Sequence, residues 1–448
     1  MESDTWQGNL FDLPGDDETK LRAAPAEAVG VPRLRRANRR QRECLPYALD
    51  ELLPEDHEAR AIWIYVEGLD FTTLLEKQRA VEGHAGRSAI DPRIAMTLWL
   101  YATLKGVGSA RELARLCGQH VVYRWICGGV SVNHHTLADF RTDHGGFLDG
   151  LLTRSVAALV HEGLVQIERV AQDGMRVRAS AGSHSFHCRP TLEKALQEAQ
   201  QQVRKLKEEL QANPGSSRTR QEAARERAAR ERLQRVKQAL QRLPEMEAKK
   251  KPAEKGKARV STTDPEATTM KMANGGFNPA YNVQLATDTE TQIITGVEVI
   301  TSGSDRGQLA PMIEQHQSRY EQVPDEALVD GGFATKEDIT EVEGKGTTVY
   351  APVQKSKDPD RGDHDPRHDD SPAVGAWRQR MATPEAKEIY KQRASTAECV
   401  NALARNRNLQ QFRVRGLIKI RAVALWYALV HNVMRVLTLR ACAALESE

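Results

Sequence analysis

VQIERVAQDGMRVRAS, residues 165–180, is the stretch on which the reading of the fold turns. Ile167 to Val170 is β-like and runs into Gln172-Asp173-Gly174, with Val177 beyond. Taken as the first strand of a sheet, it gives order to what lies far downstream. YNVQLATDT (281–289) alternates apolar and polar residues. QIITGVEVIT (292–301) is a second β-rich run after a short polar connection, so the two predict a hairpin. DRGQLAPMIEQHQSRY (305–320) predicts a helix, EALVDGG (326–332) a short buried strand ending on Asp330, TKEDITEV (335–342) a helix and TTVYAPV (347–353) a strand. Residues 354–380 form a polar loop without periodicity. PEAKEIYKQRASTAECVNALARNRN (384–408) reads as one long helix and IRAVALWYALVHNVMRVLTL (420–439) as a strongly apolar one.

Between the first strand and the rest lies an insertion, 183–260. Leu192, Leu196, Ala199, Val203, Leu206 and Leu210 step by four and three residues. Ala229, Leu233, Val236, Leu240 and Leu243 step likewise after NPGSS (213–217). Each is an a/d seam. The pair predicts an antiparallel coiled-coil hairpin, unless each seam meets another chain. Pro244 is expected to end the second helix, and KKKPAEKGKAR (249–259) to follow as a flexible basic linker. With the insertion set aside, 165–182 and 261–440 have the strand and helix order of a ribonuclease-H-like domain, an α/β mixed sheet with flanking helices.

Upstream, 33–164 reads as an all-helical domain. Asp91 before Pro92 starts one helix. Ser109 with Glu112 starts the next, and Gly118 should stop it. A third begins near Asn133. Short helices around a turn suit a DNA-docking bundle, although an ordinary helical bundle has the same pattern. Residues 1–32 are mainly acidic and Pro/Gly-rich, the composition of a disordered tail.

Over 448 residues, 64 Lys and Arg face 61 Asp and Glu, a net charge of +3. That total alone argues against a nucleic-acid partner. The charge is segregated, however. RLRRANRRQR (33–42) holds six arginines and no acid, and the lysine run at 249–259 six basic residues and one Glu. Arg405, Arg407, Arg413, Arg415, Lys419 and Arg421 follow one another without an acid between them. Each segment can neutralise phosphates whatever the sum. The six cysteines form no CxxC pair, which argues against a zinc site or a disulfide framework. No apolar signal segment opens the chain and no run of about 18 apolar residues occurs in it. A cytoplasmic, nucleoid-associated protein without a membrane partner is the expectation.

Three acids fall at informative places. Asp173 is expected to end the first strand, Asp330 the strand beside it, and Glu398 lies on a helix able to cross the sheet near both. Carboxylates converging from two strands and a helix offer hard oxygen ligands for Mg²⁺ or Mn²⁺. Two such ions about 4 Å apart can activate a water or a 3′-OH in an in-line phosphoryl displacement. Gly174 and Gly331 after the aspartates would let the chain turn sharply at the strand ends. Each Asp-Gly alone is as readily a plain turn. Asp264 could approach the same site, while Asp305 suits a helix cap.

At these residues the chain resembles the bacterial insertion-sequence transposases of the DDE class, with an InsH-like N-terminal domain. The resemblance rests on LLPEDHEAR (52–60), DPRIAMTLWLYATLKGVGSARELARLC (91–117), HHTLADFR (134–141), VAQDGMRVRASAG (170–182), STTDPEA (261–267), YNVQLATD (281–288), LVDGGF (328–333) and YKQRASTAE (390–398). It implies that Asp173, Asp330 and Glu398 are the catalytic, metal-holding triad. It implies a Tyr-Arg-Glu-Lys signature at Tyr390, Arg393, Glu398 and Arg405, with Arg in place of Lys. Four residues separate Arg393 from Glu398, one more than the signature carries. The implied partner is double-stranded DNA, as terminal inverted repeats and as target, bound by a homodimer. Arg33, Arg35, Arg36, Arg39, Arg40, Arg111, Arg115 and Arg141 would contact it from the helical domain, and Tyr390, Arg393 and Arg405 near the cut. The activity implied is metal-dependent cleavage followed by 3′-OH strand transfer. The rivals are a structure-specific nuclease on the same fold, a non-catalytic domesticated DNA-binding protein, and an oligomeric scaffold built on the hairpin.

Overall fold

Side-chain caps start the helices where the residues allow it. The computed structural model describes residues 47–76, 89–212, 220–356 and 362–446. Seven helices come first: α1 (Glu58–Glu67), α2 (Thr72–Leu75), α3 (Pro92–Leu104), α4 (Ala110–Gln119), α5 (Val121–Cys127), α6 (His134–Asp143) and α7 (Gly145–His161). Asp91 accepts from the Arg93 amide, Ser109 from that of Glu112, and Asn133 from those of His135 and Thr136. These side chains take up donors that the first helical turn leaves without a partner. Gly118 does not stop α4, which ends one residue later.

β1 (Arg169–Arg178) opens the sheet. The insertion follows as β2 (Phe186–His187), α8 (Arg189–Ala212), α9 (Arg220–Ala248) and β3 (Val260–Ser261). Then come β4 (Thr268–Lys271), β5 (Phe277–Asp288), β6 (Ile294–Ile300), α10 (Leu309–Tyr320), β7 (Glu326–Leu328), α11 (Lys336–Gly344) and β8 (Thr348–Tyr350). α12 (Pro372–Ala382), α13 (Pro384–Arg393), α14 (Cys399–Asn406) and α15 (Leu417–Glu446) complete the described chain. β1 lies at the centre, antiparallel to β5 and parallel to β7, with β8 parallel beyond β7. β4 and β6 pair antiparallel with successive lengths of β5.

α8 and α9 run antiparallel, with Arg189 bonded to Glu247 and Arg232 to Glu198. Their seam residues Leu192, Ala199, Leu206, Ala229, Val236 and Leu243 are buried. The connection at 213–217 lies outside the described residues. Two expectations fail at the foot of this pair. Pro244 sits inside α9 rather than ending it, because Leu243 before it is buried in a cluster with Leu192 and Ala239. The lysine run is no structureless linker: a 3₁₀ turn, Pro252–Lys257, leads to Ala258 and Val260, which are buried in that same cluster.

α15 joins the two halves. It packs on α3, α6 and α7 and also on β6. Trp426 Nε1 donates to the Arg141 carbonyl at 3.0 Å, and Asn432 exchanges two 2.8 Å hydrogen bonds with the Ile294 backbone. Between Leu417 and Ala444 the helix is long and apolar enough to cross a membrane, but most of its apolar stretch is buried inside the fold. It serves as a core helix here.

Candidate active site

The neighbours of Asp173 are set by the sheet. β1 does not end there: Asp173 is paired opposite Leu285 and the strand runs on to Arg178. Gly174 therefore makes no turn. Successive strand residues face opposite sides, and on the Gly174 side a Cβ would collide with Asp305 Oδ1 and lie 2.9 Å from Asn282 Oδ1. Asp305 Oδ1 accepts from Asn282 at 2.6 Å and Gln284 at 2.7 Å, so its carboxylate is used here and does not cap α10. The glycine makes room for that polar cluster. Gly331 meets only Pro352 O at 3.7 Å, an ordinary contact.

Asp173 is gripped from three sides. Its Oδ1 accepts from the Gly174 amide at 2.9 Å and lies 2.9 Å from an Arg393 nitrogen; its Oδ2 accepts from Asn401 Nδ2 at 2.8 Å. Asp330 stands two residues beyond the end of β7, its Oδ1 accepting from the Gly332 amide at 2.7 Å. Glu398 Oε1 accepts from the other terminal nitrogen of the Arg393 guanidinium at 2.7 Å. Burial pushes the Asp173 carboxyl above the usual carboxylate range; Arg393 opposes this and Asp330 adds to it. Burial also disfavours the Arg393 cation, but Asp173, Tyr390, Asp330 and Glu398 together hold it charged. The three acids thus act on one guanidinium.

The long helix expected over 384–408 is interrupted at this point. α13 ends at Arg393, a π-helical turn spans Ala394–Glu398, and α14 resumes at Cys399. A π turn bonds i to i+5 and takes up one extra residue. In an unbroken α-helix residues five apart point away from one another; here Arg393 and Glu398 touch. The additional residue between them is absorbed by the turn. Arg169 to Gln392 at 2.8 Å and Gln292 to the Ser395 carbonyl at 2.8 Å tie it to the sheet.

Two Asp and one Glu make a hard-oxygen donor set of the kind Mg²⁺ or Mn²⁺ takes. Asn401 adds a buried Oδ1 without a hydrogen-bond partner. Among the described residues no three acidic, His or Cys side chains enclose an ion position, and the Arg393 guanidinium fills the gap between Asp173 and Glu398. The donor chemistry fits a divalent cation, and the position already holds positive charge.

The remaining expected residues scatter. Tyr390 is half-buried beside the triad, its hydroxyl pushed up by burial and the three carboxylates. Arg405 is exposed on α14, and Arg111 exposed on the first turn of α4. Arg115 is held by Glu112 and Gln119 on its own helix. Arg141 is not a surface cation: it is buried, bonded to the Gly108 carbonyl at 2.6 Å and stacked 4.6 Å over the Trp99 ring. Arg33, Arg35, Arg36, Arg39 and Arg40 lie outside the described residues. Asp264 stays away from the triad; it is buried and accepts from the Tyr281 hydroxyl at 2.8 Å and the Gly416 amide at 3.3 Å. Asn401 was not among the expected residues, although a polar residue three positions after Glu398 shares its helix face.

The Transposase domain (DUF772) family model matches residues 47–143, and the Transposase DDE domain model matches residues 246–433. The second match takes in Asp330 and Glu398, while β1 with Asp173 lies outside both. No curated protein and no solved structure matches the chain.

Proposed function

We propose that this chain, which belongs to the insertion-sequence transposases of the DDE class, binds the terminal inverted repeats of its element, cuts one strand and joins the freed 3′-OH to target DNA. The observation that carries the reading is the pairing of Asp173, on a central strand, and Glu398, on a helix, with one guanidinium, whose charge Asp330 on the loop after the parallel neighbouring strand also favours. The strand sequence β6-β5-β1-β7-β8, antiparallel then parallel, supports a ribonuclease-H-like sheet. In this reading Asp173, Asp330 and Glu398 hold Mg²⁺ or Mn²⁺, two ions in all. Bound there, such ions would polarise the scissile phosphate and favour ionisation of the attacking water or 3′-OH. The chain's own part is positioning. Asn401 and the Gly174 amide fix the Asp173 carboxylate, and the Gly332 amide fixes that of Asp330. The π turn aims Glu398 and Arg393 at the same point. The α8–α9 pair would brace a second protomer or the DNA end.

The test is Asp330→Asn on a duplex carrying the element's end. Metal-dependent nicking should vanish while binding survives. Full cleavage by the variant refutes the triad, and cutting by the wild type without joining to target DNA would make the enzyme a nuclease.

A further inference from the structure

The arginines of this fold fall into two groups. Arg60, Arg169, Arg189, Arg319, Arg378, Arg380 and Arg440 each lie against a carboxylate. Arg111, Arg178, Arg405, Arg413 and Arg415 are exposed and make no direct ion pair among the described residues, although Arg415 lies close enough to the buried Asp264 to favour its ionised form. The second group is gathered in space, although its members are far apart in sequence. The loop after α14 is laid along the end of β1: the Arg178 amide donates to Gln410 O at 3.1 Å, Phe412 N to Arg178 O at 2.8 Å, and Arg415 Nε to Ser180 O at 3.1 Å. The same loop touches the helical half. Asn408 donates to Gly106 O at 3.0 Å, and a Cβ on Gly108 would lie 3.6 Å from Arg413 Cδ and Nε.

Gly108 thus seats the Arg413 side chain immediately before α4. Ser109 takes up only the Glu112 amide, which leaves the earliest amides of α4 to an outside acceptor. Arg111 stands on that same turn. The path also leads back to the triad. Arg405 lies seven residues past Glu398, about two helical turns along α14.

We propose that this seam between the helical half and the sheet is a track for the sugar-phosphate backbone of duplex DNA. Arg405, Arg413 and Arg415 hold the strand leaving the triad. Arg111 and the start of α4 hold its continuation, so both halves grip one duplex. The inference rests on the transposase reading for its partner and adds the surface. Exposed guanidinium groups without direct ion pairs, arranged in a row that starts at a phosphodiester-cutting site, match the spaced anions of a nucleic-acid backbone.

The experiment compares the full chain with Arg111→Gln/Arg413→Gln and with Arg440→Gln, whose arginine is already paired with Glu162. The probe is a fluorescent duplex of arbitrary sequence, since backbone contacts carry no sequence information. Binding is titrated across salt concentrations. Loss of two phosphate contacts should lower the slope of log K against log salt by about 1.8, with Arg440→Gln unchanged and all three proteins melting together. An unchanged slope in the double variant overturns the seam, as does an equal drop in Arg440→Gln. If the wild type binds and the double variant matches it, the seam alone fails. If the wild type binds no duplex, the transposase reading fails with it.

Discussion

The guanidinium of Arg393 occupies the place where the carboxylates invite a cation, and its removal has a calculable cost. Arg393→Gln keeps a polar side chain but deletes the charge. The Arg393 side chain is 9% exposed and that of Asp173 19%, whereas Glu398 is 57% exposed. Breaking a buried ion pair by deleting one partner typically costs about 3–5 kcal/mol. Asp173 is not fully enclosed and keeps its bonds to Asn401 and Gly174, which puts the loss at about 2–4 kcal/mol on the same scale. The open pair with Glu398 adds no more than about 1 kcal/mol. The variant should therefore melt several degrees below the wild type in EDTA. It should also respond more strongly to a divalent cation, because its carboxylates are left uncompensated and no guanidinium has to be displaced. At a hundredfold excess of ion over its dissociation constant the recovery is about 2.7 kcal/mol. The assay is thermal unfolding of both proteins in EDTA and in millimolar MnCl₂, without DNA. The deficit in EDTA should largely close in manganese. A variant as stable as the wild type in EDTA, or equal manganese shifts in the two proteins, refutes the idea that Arg393 stands in for a cation.

Acid should act through two buried imidazoles. Burial lowers both His316 and His431 to about 4; His316 contacts Thr295 and the Met312 carbonyl at 2.8 Å, and His431 the Gln292 carbonyl at 2.8 Å. The unfolded chain takes up their protons near pH 6.5 and the folded chain only near 4, so stability is full above 6.5 and falls as pH drops through that window, by roughly 3 kcal/mol per histidine. His316→Gln should flatten the pH dependence of melting between 6.5 and 4, and an unaltered profile would show that His316 does not titrate on unfolding. The π turn makes a different prediction. Deleting Ser395 restores α-helical pitch and leaves Arg393 four residues from Glu398, still on one face, so metal-dependent nicking should persist. Inserting an alanine after Ser395 sets Glu398 one residue further from Arg393, turns it by about 100° and should abolish nicking; the opposite ranking would remove the turn's role.

What could be read from the residues was what local pattern controls. The caps at Asp91, Ser109 and Asn133, the strands β1 and β5 to β8 and the seams of α8 and α9 follow from neighbours a few positions away, whereas the short strands β2, β3 and β4 were not foreseen and α12 (Pro372–Ala382) lies largely in the stretch read as a loop. The misses share one physical origin in distant partners. Asp-Gly at 173–174 reads as a turn, and only the Asp305 carboxylate folded over the strand makes the glycine a spacing residue in mid-strand. Arg141 looks like any helix-surface cation until Trp99 and α15 close over it. Pro244 should break a helix, but the buried cluster beneath it outweighs the lost hydrogen bond. The π turn did leave a trace, the surplus residue between Arg393 and Glu398. Its consequence was hidden, because a sequence count does not say whether an insertion rotates a helix face or is absorbed.

The net charge of +3 can be restated in these terms. A cation that faces a carboxylate inside the fold is spent there and offers little to a phosphate. Arg60, Arg319, Arg378 and Arg380 are of this kind, and removing any of them would alter net charge without altering a binding surface. The arginines at 178, 405, 413 and 415 make no direct ion pair among the described residues and are exposed, so they add to the field outside the protein. Arg393 belongs to neither group. It is paired, but with the carboxylates proposed to hold ions, and those ions would compete for the same oxygens. A guanidinium released by that competition lies beside the triad, where the nearest anion would be the phosphate under attack. On the proposed reading, pairing at this one arginine would be a resting position, and the manganese response of Arg393→Gln would measure the strength of the competition.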